Sequence, residues 1–130
     1  MDVEQLHDFA GRYTAAWCSG DPAQVAEHYA PEGSLTINRG TPSTGRAAIT
    51  QAARSFMEAF PGMVVLFDGL RARPGTVEYH WTLEGNSAET GNHVRISGFE
   101  EWTIGEDGLV ADSQGHYDQA EYDRQLAEGV

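Results

Sequence analysis

At Pro61-Gly62 the hydrophobic period of the chain changes, and this change constrains the fold more than any other feature. Before it, apolar residues recur every three or four positions; after it they alternate, as strands require. Residues 2–19 place Val3, Leu6, Ala10, Tyr13 and Trp17 on one helical stripe, and Gly20 sits where a C-terminal cap belongs. Asp21-Pro22 offers an N-cap and a first-turn proline, with Gln24 placed for a capping box. A short helix is therefore expected through Tyr29, stopped by Pro31-Glu32-Gly33. Ser34 to Asn38 alternates like a short strand, and Arg39 to Thr44 is a Gly/Pro loop. Thr44 can cap a third helix carrying Ile49, Ala52, Phe56 and Phe60. Past the change of period, Met63–Arg73, Thr76–Glu84, Asn92–Ile104 and Leu109–Tyr117 read as strands. Pro74-Gly75, Gly85–Gly91 and Glu106–Gly108 supply the turns, and Gln119–Leu126 reads as a short closing helix. Helices followed by a meander of strands, with no repeat and no linker, predict one α+β domain over residues 1–130.

Alternation also locates a candidate site. It sorts Val94, Ile96, Gly98, Glu100 and Trp102 onto one face and Arg95, Ser97, Phe99, Glu101 and Thr103 onto the other. The first set is mostly apolar and carries Glu100 towards the core. A one-residue slip would bury Glu101 instead, but it would also expose Ile96 and Trp102. The neighbouring strand delivers His116, Tyr117 and Asp118 at its far end, so two acids and a histidine lie close together. The preceding strand sets Val77, Tyr79, Trp81 and Leu83 against Glu78, His80, Thr82 and Glu84. Trp17, Tyr29, Phe56, Phe60, Tyr79, Trp81 and Trp102 are core candidates from which the lining of any cavity must be drawn, and His93 reads as a surface residue.

Charge narrows the function. The formal net charge is −12, and all eight basic residues are arginines. Nucleic acid is an unfavourable partner for such a chain. Without lysine there is no Schiff-base chemistry and no phosphate-loop lysine. A neutral guest meets less repulsion than an anionic one. The single cysteine, Cys18, cannot form an internal disulfide and fits a reducing compartment. With no apolar span of about 18 residues and no signal-peptide pattern, the expectation is a soluble cytoplasmic protein, not a membrane one. No HxxxH, HExxH or repeated His/Cys spacing exists, so neither a metal nor a cofactor is expected.

Three stretches, RYTAAWCSGDPAQVAEHYAPEGSL at 12–35, GTPSTGRAAI at 40–49 and GHYDQAEYDRQL at 115–126, resemble in order and spacing the SnoaL-like group of the nuclear transport factor 2-like superfamily. The resemblance implies a cone: a curved antiparallel sheet wrapped on three helices, enclosing a blind pocket, in chains that pair through the convex sheet face. It implies roles residue by residue. Tyr13, in GRYTAA, matches the tyrosine that donates to a developing oxyanion in the steroid isomerases. Glu100 falls where those enzymes place a protonated carboxylic acid. Their general-base aspartate falls at Ile37 or Asn38, neither of which can take a proton. Asp118 matches the aspartate that cyclases and epoxide hydrolases use as acid or base. The tyrosine and asparagine with which epoxide hydrolases position water are not reproduced, because Thr36 precedes Ile37-Asn38.

The expected site therefore has Glu100, Asp118 and Tyr13 as proton-handling groups, with Asn38, His116 and the core aromatics named above as ligand contacts. Two functions fit. One is a cofactor-independent acid/base enzyme of isomerase, cyclase, hydrolase or dehydratase type, acting on a small neutral apolar molecule. The other is a non-catalytic module of the same fold that binds a small molecule or dimerises. A homodimer is expected through His80, Thr82, Ser97, Phe99, Glu101 and Thr103, because Phe99 stands on the face away from the helices.

Overall fold

A computed structural model describes residues 1–130. Four helices and six strands follow in the order α1 (Val3–Cys18), α2 (Pro22–Ala26), β1 (Tyr29–Ile37), β2 (Ser43–Thr44), α3 (Arg46–Ala59), β3 (Val64–Arg73), β4 (Thr76–Asn86), β5 (His93–Ile104), β6 (Val110–Tyr117) and α4 (Gln119–Glu128). The strands form one curved, open sheet in the order β2-β1-β6-β5-β4-β3. Helix precedes the change of period and a strand meander follows it, so the α+β architecture matches the expectation. No helix is long and apolar enough to cross a membrane.

Local chemistry explains the ends of α1. Asp2 accepts from Gln5 N–H at 2.8 Å, and the Gln5 side chain accepts from Asp2 N–H at 3.0 Å, a reciprocal capping box. Ser19 closes the helix, and Gly20 follows at φ +78°, the left-handed conformation that glycine adopts without a Cβ clash.

The N-terminal third departs from expectation at two places. The second helix ends at Ala26, and β1 begins at Tyr29, running through Pro31-Glu32-Gly33 instead of stopping there. Proline is tolerated because the pairing of β1 with β6 shifts register between Tyr29 and Ser34. Thr44 does not cap α3. It pairs with Ser34 in β2, and Gly45 occupies the N-cap without a side-chain bond. The sheet is also not wholly antiparallel, since β1 lies parallel to β6. Helix α3 and four strands intervene between them, which is ample for the long crossover that parallel pairing needs.

The core is one cluster of twenty buried residues between the concave sheet face and the helices. Along β5, Val94, Ile96, Glu100 and Trp102 are buried, so the register places Glu100 inside and leaves Glu101 outside. The convex face is unusually well ordered by side chains. Thr82 bonds Asp68 and Ser97, Glu78 holds Arg73 and His80, and Phe99 lies between the rings of His80 and His116.

Candidate functional site

The site is built where the paired strands β5 and β6 meet Tyr13 of α1. Glu100 pairs with Gly115, the residue whose missing side chain leaves room above the carboxylate; a Cβ there would come within 3.8 Å of Glu100 Cγ. Only 7 % of Glu100 is exposed. Its Oε1 atom accepts four hydrogen bonds: from Ser113 Oγ at 2.8 Å, Tyr13 Oη at 2.9 Å, Trp102 Nε1 at 2.9 Å and Tyr29 Oη at 3.3 Å. Its Oε2 atom has one long contact, with Tyr13 at 3.2 Å. Tyr13 and Tyr29 are also 2.9 Å apart at their hydroxyls.

Two opposing effects act on this carboxyl group. Burial raises its pKa by penalising the charged form, while the donors from Trp102, Ser113, Tyr13 and Tyr29 favour the carboxylate and lower it. Burial wins, and the pKa stands above the ordinary carboxylate value of 4.5. Because Oε1 is filled by donors, a proton on the acid belongs on Oε2. The same burial, reinforced by the charge of Glu100, pushes Tyr13 and Tyr29 well above 10.0, so both remain neutral donors.

Glu100 is the only charged residue type lining an apolar cavity of about 60 Å³, shared by helices and concave face. At ~10–15 Å³ for each water, that is space for roughly four to six waters. Trp17, Phe56, Tyr79, Trp81, Tyr117 and Tyr122 supply its aromatic walls, and Leu35, Ile37, Val65, Leu83 and Ile96 the aliphatic ones. Trp81 reaches the cavity across Gly98, where an added Cβ would lie 2.6 Å from its ring.

Of the residues expected at the site, the structure gathers Glu100, Trp17, Phe56, Tyr79 and Trp81 around the cavity. Tyr13, Tyr29 and Trp102 stand behind Glu100 as its donors, fully buried and outside the lining. Phe60 is core and packs edge-on to Tyr122. Three residues lie elsewhere. His116 alternates onto the convex face, where its Nε2 is 2.6 Å from Glu101 Oε1. Asp118 is exposed and caps α4, accepting from Glu121 N–H at 3.1 Å. Asn38 is an architectural link, its Oδ1 accepting Tyr117 N–H at 2.9 Å and its Nδ2 donating to Gln119. Asp118 shares the parity of His116, so alternation as well as the strand's end at Tyr117 keeps it away from the cavity. Tyr117 and Tyr122 are cavity residues that reading the sequence passed over. Parity with Ser113 and Gly115 marks the first, and four-residue spacing with Leu126 marks the second.

The profile of the SnoaL-like domain matches residues 10–113. No curated protein matches the chain. Among solved structures, a protein of ketosteroid isomerase-like fold from Catenulispora acidiphila, in complex with trimethylamine, is 14% identical over 92% of each chain, with a TM-score of 0.82. A candidate SnoaL-like polyketide cyclase from Jannaschia sp. CCS1 is 15% identical, over 98% of this chain and 94% of that one, at 0.81. A candidate isomerase from Bacillus subtilis is 14% identical, over 98% of this chain and 96% of that one, at 0.83. At such identities the likeness establishes a shared fold and leaves the activity to be argued from the site.

Proposed function

This chain belongs to the SnoaL-like domain family, and on that premise we propose that it is a cofactor-independent acid/base enzyme of isomerase, cyclase or hydrolase type. Its substrate is a small, neutral, largely apolar molecule held in the cavity. The observation that carries the reading is the one-sided bonding of Glu100: four donors on Oε1, and Oε2 left for a guest. In its neutral form Glu100 donates the Oε2 proton to an oxygen of the substrate. The carboxylate that results is stabilised by the four donors already in place, and it can take a proton back. Desolvation favours one form and the donors the other, which keeps both within reach at one pH. Tyr13 acts through Glu100, as the donor that spans both of its oxygens. The trimethylamine bound to the Catenulispora acidiphila relative supports a small guest in this fold.

A non-catalytic binding module is the second reading, and one observation favours it. No second carboxylate joins Glu100 in the cavity lining. Native mass spectrometry of protein purified from its source cells, searching for a co-purifying small molecule, supplies the compound on which the two readings part. Turnover of that compound by the wild type and its loss in Glu100→Gln supports the enzyme. Tight binding without turnover in either protein leaves the binding module.

The proposal includes a homodimer through the convex sheet face and a cytoplasmic location. Phe99 between two imidazole rings, with Val64 and Leu66 exposed on the edge strand, supports the first. A lone free cysteine, Cys18, supports the second.

A further inference from the structure

Polar atoms around the cavity are few, and most are already engaged. The Tyr79 hydroxyl is 2.5 Å from Thr14 Oγ1, and Glu100 Oε1 is filled. Tyr117 and Tyr122 also line the cavity, yet their hydrogen bonds within the chain are all made by the main chain, which leaves both hydroxyls unpartnered. Their rings meet at 5.4 Å between centroids, with Trp81 against Tyr117 and Phe60 against Tyr122, each at 6.1 Å. The two rings are therefore fixed while their hydroxyls stay available.

The main chain on either side is held by two residues that the sequence had marked for the site itself. Asn38 Oδ1 accepts the Tyr117 N–H at 2.9 Å. Asp118 caps α4 with its side chain, and its carbonyl accepts the Tyr122 N–H at 3.0 Å. Register sets the separation from Glu100. Glu100 pairs with Gly115, and Tyr117 lies two residues further along the same face of β6, its Cα roughly 7 Å along the strand from that of Gly115.

We infer that Tyr117 and Tyr122 form a second hydrogen-bonding pole of the cavity, selecting a guest with an acceptor oxygen about one ring's length from the oxygen that meets Glu100. Asn38 and Asp118 are positioning residues for that pole. The inference rests on the guest-binding reading of the cavity given above. Burial pushes the Tyr117 phenol up to about 12 and raises that of Tyr122, so both donate as neutral hydroxyls. A small ring with an oxygen at each end satisfies both poles, whereas a ring with one oxygen satisfies only Glu100.

Acetophenone and 4-hydroxyacetophenone serve as probes, with binding followed by titration calorimetry or ligand-observed NMR. The wild type is expected to bind the two-oxygen ketone about tenfold more tightly than the one-oxygen ketone, the effect of one well-made hydrogen bond. Tyr117→Phe and Tyr122→Phe should each bring that ratio close to one while retaining acetophenone. Asp118→Ala should lower it, and Asp118→Asn, which still caps α4, should restore it. A merely structural Asp118 would weaken both ketones together. If both ketones bind and the ratio survives in both tyrosine variants, the second pole is overturned and the cavity reading stands. If neither ketone binds the wild type at millimolar concentration, both are overturned.

Discussion

Glu100 is a buried acid held between desolvation and four donors, and that balance has a measurable sign. Its pKa is raised on folding, so the stability it contributes is fully present below the ordinary value of 4.5 and is lost as pH rises through the folded value. Glu100→Gln removes this dependence while keeping an acceptor for Ser113, Trp102 and the tyrosines. Urea melts between pH 4.5 and pH 8 should therefore show the wild type losing stability relative to Glu100→Gln as pH rises. Parallel curves, or a wild type that gains, would show that Glu100 is not held neutral by burial. Glu100→Leu is a different change, because it leaves four buried donors without their acceptor. A cost of about 3–5 kcal/mol is expected, as for any buried polar network broken on one side.

Elements respond to the same substitution in opposite ways according to what surrounds them. On β5, a Cβ at Gly98 would lie 2.3 Å from the His116 carbonyl oxygen and 2.6 Å from Trp81. Gly98→Ala should cost about 1–3 kcal/mol and displace the Trp81 wall of the cavity. On α1, a Cβ at Gly11 meets nothing within 4 Å. Gly11→Ala should stabilise by about 0.5–1 kcal/mol, the ordinary helix preference. Denaturant midpoints of the two variants check both signs. Between α2 and β1, His28 packs edge-on against Phe9 and Tyr13, and burial lowers its pKa below 6.5. Its contribution is present above 6.5 and is lost as pH falls through the folded value, the reverse of Glu100. His28→Gln should flatten the acid limb of the stability profile, and an unchanged limb would remove His28 from the account.

For the whole molecule, the proposed homodimer is tested at the convex face. Phe99 and its two imidazole neighbours form an aromatic strip, bounded by Glu78 on one side and Glu101 on the other. Light scattering at micromolar concentration is expected to report a dimer for the wild type and a monomer for Phe99→Asp. A monomeric wild type, or a dimer indifferent to the substitution, would dispose of that interface. With a net charge of −12, self-repulsion also acts on every copy. Dimerisation should therefore tighten with added salt, up to the range where screening is complete.

Periodicity by itself was enough for the α+β class, for the inward register of Glu100 and for the outward place of Phe99. Each follows from a geometric period of 3.6 or two residues acting on contiguous side chains. The tertiary structure alone decided what surrounds them. Tyr13, Tyr29 and Ser113 meet Glu100 from α1, β1 and β6, sequence separations of 87, 71 and 13 that no local pattern encodes. Asp118 illustrates the limit most clearly. It follows a strand that ends at Tyr117, as expected, but its carboxylate is taken up by the start of α4, where it accepts from Glu121 N–H. Local hydrogen-bond demand at a helix start, and not closeness in sequence to Tyr117, decided its role there. Tyr122 became a cavity residue because where a closing helix docks depends on the packing of every element before it.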